Sequence, residues 1–303
     1  MKVVENITEL IGNTPIVKLK NNNQESLSNI FVKLEFFNPA KSVKDRAAYN
    51  MIVKAEEQGI LKKGGTIIEP TSGNTGIGIA LTAAARGYEA ILVMPDNSTL
   101  ERIQTLQAYG AKVVLTPSHE KMPGAIKKAK ALNEEIKGSI ILQQFENESN
   151  PAVHRRTTAK EIYEQMNGDI DILICAAGTG GTVTGTGEVL KELLPKLKVY
   201  VVEPKGSPVL SGGQAGKHKL VGTSPGFIPN ILNTDIYDEI IQVTDEDAIH
   251  VFKQLPQQEG LFVGLSSSAV IYAAKQIAAS VGPNKRIVCI APDSGERYLS
   301  MEI

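Results

Sequence analysis

Short runs of β-branched and aliphatic residues alternate along this chain with longer, alanine-rich segments whose apolar positions recur every three or four residues. The first series predicts a strand at 30–35, a helix over 44–58, a strand at 66–69, a helix over 75–86, a strand at 90–94, a helix over 100–109 and a strand at 112–115. Strands separated by helices need crossover connections, and such connections set successive strands parallel. A second series of strands begins at 171–176 and continues at 198–202, 239–243 and 286–291. The pattern therefore predicts an α/β protein of two open lobes with mostly parallel sheets. The polar, turn-rich stretch 144–151 (Gln-Phe-Glu-Asn-Glu-Ser-Asn-Pro) reads as a hinge between the series, with a cleft between the lobes.

Charge narrows the partners. The 303 residues carry 32 Lys and Arg against 33 Asp and Glu, a net charge of −1, so no basic footprint for nucleic acid or an anionic membrane is visible. Small molecules are the expected partners. The longer apolar stretches, such as 172–175 and 287–290, fall far short of the roughly 18 residues of a membrane span. The opening Met1-Lys2-Val3-Val4-Glu5-Asn6 lacks the basic-then-apolar order of a secretory signal, and a cytoplasmic location is expected. Cys175 and Cys289 each sit in an apolar strand-like run and read as buried structural thiols. His119, His154, His218 and His250 are scattered without ligand spacing, so no metal is expected.

Three loops follow predicted strands at the place where open α/β sheets bind ligands, beyond the carboxyl ends of the strands. In Asn38-Pro39-Ala40-Lys41-Ser42-Val43-Lys44-Asp45-Arg46, a helix starting near Ser42 puts Lys44 in its first turn, beside N–H dipoles and Lys41. Positive potential of that kind depresses an amine pKa and makes a lysine nucleophilic; the same residues also fit a solvated charged turn. In Pro70-Thr71-Ser72-Gly73-Asn74-Thr75-Gly76, Gly73 permits a turn with positive φ, and hydroxyls and amides converge at a helix start. That suits a carboxylate, although Ser, Thr and Asn also serve as plain helix caps. In Gly178-Thr179-Gly180-Gly181-Thr182-Val183-Thr184-Gly185, Val183 stands where a dinucleotide fingerprint needs its last glycine, and no Gly-Lys-Ser/Thr appears. What remains is a phosphate cup without its own lysine, or else a tight strand-to-helix turn. A reactive lysine, a carboxylate nest and a lysine-free phosphate cup together are what a pyridoxal 5′-phosphate (PLP) enzyme acting on an amino acid requires.

These three motifs, in this order, resemble the cysteine synthase (O-acetylserine sulfhydrylase) family, within the tryptophan-synthase-β-like PLP enzymes that also include cystathionine β-synthase. The similarity runs from Thr8-Glu9-Leu10-Ile11-Gly12-Asn13-Thr14-Pro15 to Gly295-Glu296-Arg297-Tyr298-Leu299-Ser300. The resemblance implies a smaller, mobile N-terminal domain of residues 1–12 and 37–148, a larger one of 13–36 and 149–303, and PLP in the cleft. It implies that Lys44 is the Schiff-base lysine and acid–base, that Asn74 meets the PLP phenolic oxygen, and that Thr71, Ser72, Thr75 and Gln144 hold the substrate carboxylate. Gly178, Thr179, Gly180, Gly181 and Thr182 would bind the phosphate, and Ser266 would face the pyridine nitrogen, a neutral partner favouring prompt loss of a β-leaving group.

The implied activity is β-replacement, O-acetyl-L-serine plus sulfide giving L-cysteine and acetate, by a homodimer able to dock the tail of serine acetyltransferase. Alternatives are a cystathionine-forming or sulfide-releasing reaction on the same scaffold, and an inactive homologue that only binds the acetyltransferase. The chain departs from the family at Ser224 and Pro225, where Gly-Ile-Gly-Ala-Gly-Phe is usual, and at Lys121 and Ser268, where glycine is usual. Ser72 leans towards cysteine synthase and Pro292-Asp293-Ser294 leans the other way.

Overall fold

A computed structural model describes residues 3–20 and 28–301; Met1 and Lys2, which open the segment read for a signal, lie outside them. In chain order the elements are β1 (Ile16–Lys18), β2 (Asn29–Leu34), α1 (Lys44–Glu57), β3 (Thr66–Pro70), α2 (Asn74–Arg86), β4 (Glu89–Pro95), α3 (Leu100–Ala108), β5 (Lys112–Thr116), α4 (Lys121–Glu135) and β6 (Ile140–Ile141). There follow α5 (Ser149–Val153), a π-helical stretch His154–Thr158, α6 (Ala159–Gln165), β7 (Ile172–Ala176), α7 (Gly181–Leu193), β8 (Lys198–Pro204), β9 (Glu239–Val243), α8 (Asp245–Glu259), α9 (Leu265–Ser280) and β10 (Arg286–Ala291). The described residues divide into two compact units, one made of those up to Ile11 with Lys44–Asn150, the other of Gly12–Val43 with those from Pro151 onward.

The first unit holds a four-stranded parallel sheet in the order β5-β4-β3-β6. Ile67, Ile68, Leu92 and Val93 are all fully buried, so both faces of the central strands are covered. That explains their continuous apolar runs, since only a sheet with helices on both sides has no polar face. Ala125 and Ala129 of α4 pack on the face that carries Ile68, Ile91 and Val93.

The second unit holds a six-stranded sheet in the order β1-β2-β10-β7-β8-β9, parallel except for β1 against β2. The two-residue period of a strand sorts its side chains onto two cores. Ile172, Ile174, Ile287 and Cys289 meet α8 and α9 through Val251, Phe252, Leu255 and Ala269. Leu173, Cys175, Val288 and Ile290 meet α6 and α7 through Ile162, Val183 and Leu190. Each such aliphatic side chain contributes about 1.5–3 kcal/mol by leaving water.

The parallel α/β class is as the pattern predicted, with strand and helix ends within two residues of the expected ones. The antiparallel edge strand β1, the two-residue β6 and helices α4, α5, α6, α8 and α9 were not read from the pattern. Lys33 has no solvent exposure, and its ammonium donates to Thr14 O at 2.7 Å, Glu161 Oε2 at 2.7 Å and Gln165 Oε1 at 2.9 Å. Three acceptors for three donors make a charge tolerable inside a sheet.

Candidate active site

The residues singled out by sequence fall into two groups, one in each unit. In the first unit Lys44 is the opening residue of α1 and is half-buried. Asp45 and Arg46 beside it are almost wholly inaccessible, at 0% and 1% exposure, so this segment is not a solvated charged turn. Its position depends on α2. A methyl on Gly78 would lie 3.1 Å from Lys44 O and 3.3 Å from Asp45 Cα, so the missing side chain is what lets the start of α1 lie against α2.

Lys41, expected as a neighbouring cation, has an acidic partner. In the second unit its exposed ammonium pairs with Glu296 at 2.7 Å, the residue itself taking φ of 59°. The segment before Lys44 is held there by buried polar groups. Glu35 accepts from Thr14 Oγ1 at 2.7 Å and Asn38 Nδ2 at 2.9 Å, Asn38 Oδ1 accepts from Gly12 N at 2.8 Å, and Val43 N donates to Pro292 O at 2.8 Å.

The loop Thr71–Thr75 leaves the carboxyl end of β3, and Gln144 follows the neighbouring parallel strand β6, so adjacent strand ends build one nest. Thr71 and Thr75 are buried, and Thr75 Oγ1 donates to Gln144 Oε1 at 2.6 Å. Ser72 and Asn74 are half-buried, Asn74 opening α2. Gly73 has φ of −108°, so the left-handed turn expected there is not made. Gly73 instead leaves the helix without a side-chain cap, its amide donating to Thr71 Oγ1 at 3.2 Å. Arg102 Nη1 donates to Ser72 O at 2.7 Å and ties the nest to α3.

Sequence reading missed Glu69, the last-but-one residue of β3. Its buried carboxylate accepts N–H bonds from Leu142 and Gln143 at 3.1 Å each and from Gln144 at 3.2 Å. Burial pushes this carboxyl up to about 7, against the pull of those three donors. An acid inside an otherwise apolar strand was the available signal.

In the second unit, Gly178–Thr182 joins β7 to α7. Gly180 has φ of +84°, and a methyl there would stand 2.7 Å from Leu232 Cβ; a methyl on Gly178 would stand 2.1 Å from Gly222 O. The loop is thus a cradle that side chains would fill. Gly180 gives α7 no side-chain cap, and Gly181 N donates a long 3.4 Å bond to Thr179 Oγ1. First-turn amides and threonine hydroxyls at an uncapped helix start fit a phosphate monoester. Thr182 Oγ1 lies 3.3 Å from Nε2 of buried His154, whose Nδ1 lies 2.8 Å from Thr158 Oγ1; the sequence pattern had not linked His154 to this loop.

Ser266 is buried in the first turn of α9. The helix start is tied to the end of β10, since Gly264 N donates to Asp293 O at 3.0 Å. Because β10 and β7 are parallel neighbours, Ser266 and the Gly178–Thr182 loop stand at the same end of one sheet. The four departures from the family pattern are also placed. Ser268 Oγ donates to Gly264 O at 3.0 Å within its own helix. Lys121 is exposed at the start of α4 with φ of 51°. Ser224 takes φ of 39°, its hydroxyl donating to Ser207 O at 2.8 Å, and with Pro225, Phe227 and Leu232 it lines a hollow beside Gly178.

A cradle for phosphate, a helix-initial lysine and a nest for a carboxylate lie on an α/β frame, and the chain belongs to the pyridoxal-phosphate dependent enzyme family, which it matches over residues 7–293. It is a PLP-dependent enzyme acting on small molecules. In particular, it is 58% identical to a probable cysteine synthase of Bacillus subtilis (strain 168), the match covering 100% of this chain and 98% of that one. It is similar to the crystal structure of cysteine synthase from Entamoeba histolytica, with TM-score 0.96 and 40% identity over 99% of this chain and 90% of that one. A hydrogen sulfide-producing enzyme from Fusobacterium nucleatum is also similar, with TM-score 0.95 and 41% identity over 99% of both chains. Among the described residues no helix is long and apolar enough to cross a membrane.

Proposed function

We propose that this enzyme replaces the acetoxy group of O-acetyl-L-serine by sulfide, giving L-cysteine and acetate. The observation that carries the reading is the nest of Thr71, Ser72, Thr75 and Gln144, which offers hydroxyls, amides and a carboxamide and so takes a carboxylate by hydrogen bonds alone. The 58% identity to a probable cysteine synthase supports the particular substrate.

In this reading Gly178, Thr179, Gly180, Gly181 and Thr182 hold the cofactor phosphate, Asn74 donates to its phenolic oxygen, and Ser266 meets its ring nitrogen. PLP, carried on Lys44 until the substrate amine takes its place and frees Nζ, would supply the electron sink that makes the substrate Cα–H acidic. Lys44 Nζ takes the Cα proton, acetate leaves Cβ, sulfide adds at Cβ, and Lys44 returns a proton to Cα. The nest orients the substrate by its carboxylate, so that Cα faces Lys44 throughout. A homodimer, a cytoplasmic location, a division into domains near residues 12, 37 and 148, and docking of a serine acetyltransferase tail belong to the same proposal; light scattering tests the first.

A second reading, addition of homocysteine or release of sulfide from L-cysteine, is favoured by exposed Lys121, which can attract an acidic group, and by the likeness to a sulfide-producing enzyme. One experiment separates them. The purified holoenzyme is given O-acetyl-L-serine with sulfide or with homocysteine, and L-cysteine alone, and the products are identified by mass. Faster formation of L-cysteine than of cystathionine or free sulfide supports the first reading; the reverse order overturns it.

A further inference from the structure

We propose that Glu69 is a positioning residue for the substrate carboxylate, acting through Gln144. This rests on the reading of the Thr71–Thr75 and Gln144 nest given above and names what holds that nest in shape. β6 is two residues long and pairs with β3 only at Ile67–Ile140 and Ile68–Ile141. Where the ladder ends, the Glu69 side chain takes over and gathers three successive amides, those of Leu142, Gln143 and Gln144.

Three consecutive N–H groups point at one carboxyl only if the backbone curls, and Gln143 takes φ of 59° to do so. A non-glycine residue at positive φ is strained and needs its surroundings to hold it. Glu69 bonds the amides on both sides of it. The curl brings Gln144 Oε1 to 2.6 Å from Thr75 Oγ1, and Asn150 Nδ2 closes the other side through a 2.9 Å bond to Gln144 O.

Glu69 itself is 1% exposed and has no part in the chemistry. Glutamine at this place has the right size but one acceptor oxygen, and its NH2 group would face N–H groups. Glu69→Gln therefore lets the curl relax and moves the Gln144 carboxamide.

The test uses the holoenzyme as wild type, Glu69→Gln, Gln144→Ala and the double variant, titrated with O-acetyl-L-serine by the cofactor spectrum. Glu69→Gln is expected to weaken amino-acid binding about tenfold or more, the scale of one displaced hydrogen bond to a charged group. The KM for sulfide and the cofactor content stay as in wild type. In the Gln144→Ala background the same change has little further effect, because the group it positions is gone. Equal losses in both backgrounds, unchanged binding, or loss of cofactor overturn the proposal.

Hydrogen exchange gives the independent measurement: the amides of residues 142–144 exchange faster in Glu69→Gln while those of β3 and β4 do not. If wild type ignores O-acetyl-L-serine but these amides are released, the substrate reading fails and the clamp stands. If they stay protected, the clamp fails whatever the substrate.

Discussion

Gly185 lies inside α7, one turn after Thr182, and its replacement by alanine sets two effects of opposite sign against each other. Alanine is the better helix former by about 1 kcal/mol, which favours the substitution. The new methyl would stand 2.2 Å from Pro151 O, 2.8 Å from His154 Cβ and 2.9 Å from Arg155 N. None of those atoms can rotate away. A carbon–oxygen contact needs roughly 3.3 Å, so about 1 Å of displacement between α7 and the turn at 151–155 is required. Overpacking of this kind costs about 1–3 kcal/mol or more, and backbone obstacles put it at the upper end.

The net expectation for Gly185→Ala is destabilisation by about 2 kcal/mol, a fall in Tm of roughly 4–8 °C for a unit of this size. PLP retention weakens with it, since Thr182 and His154 move. Gly187→Ala on the same helix is the control. Its methyl meets Ile236 Cγ1 at 2.9 Å, a side-chain atom able to give way, so it keeps most of the propensity gain. Calorimetry and a PLP titration of both variants decide. If Gly185→Ala matches Gly187→Ala in Tm and cofactor affinity, the account of how α7 is seated is wrong.

Three further outcomes follow from buried polar groups. Burial lifts the Glu69 carboxyl from its ordinary 4.5 to about 7, so between those values the fold keeps a proton that the open chain has released. Rising pH therefore removes stability, on the order of 3 kcal/mol across that window; urea midpoints should fall with pH in wild type relative to Glu69→Gln, and parallel curves would refute it. Burial pushes the Cys289 thiol up to about 12 and raises that of Cys175, with Cys289 adding to the latter. Both thiols should ignore a thiol-specific disulfide reagent in the native enzyme and react after denaturation. Lys33→Met leaves Glu161, Gln165 and Thr14 O without their cation and should cost about 3–5 kcal/mol in an unfolding titration.

Most of the frame could be read from the pattern because parallel strands covered on both faces are apolar throughout and stand out between helices. The edges could not. β1 has three residues, two of them exposed, and β6 has two, so neither is long enough to show a period. The nest and the cup were legible because glycines and hydroxyls cluster after strands. What each glycine is for was less so. Gly73 was read as a left-handed turn and is not one, whereas Gly178 and Gly185 serve close packing against backbone far away in sequence, which no local pattern carries. Glu69 and Lys33 are charges in apolar strands, and only tertiary partners distinguish such residues from breaks in a strand.

The order of strands in the larger sheet has a consequence for synthesis. β2 is complete at Leu34, yet its parallel neighbour β10 begins at Arg286, so its inner edge waits for nearly the whole chain. At roughly 5–20 residues per second that wait is tens of seconds, during which β2 has the three-residue β1 on one side and no parallel neighbour on the other. The other unit draws all but its first few residues from one continuous stretch and can finish early. A ribosome stalled before the final strand would therefore hold one mature half and one open seam, the state in which a nascent-chain chaperone has most to shield.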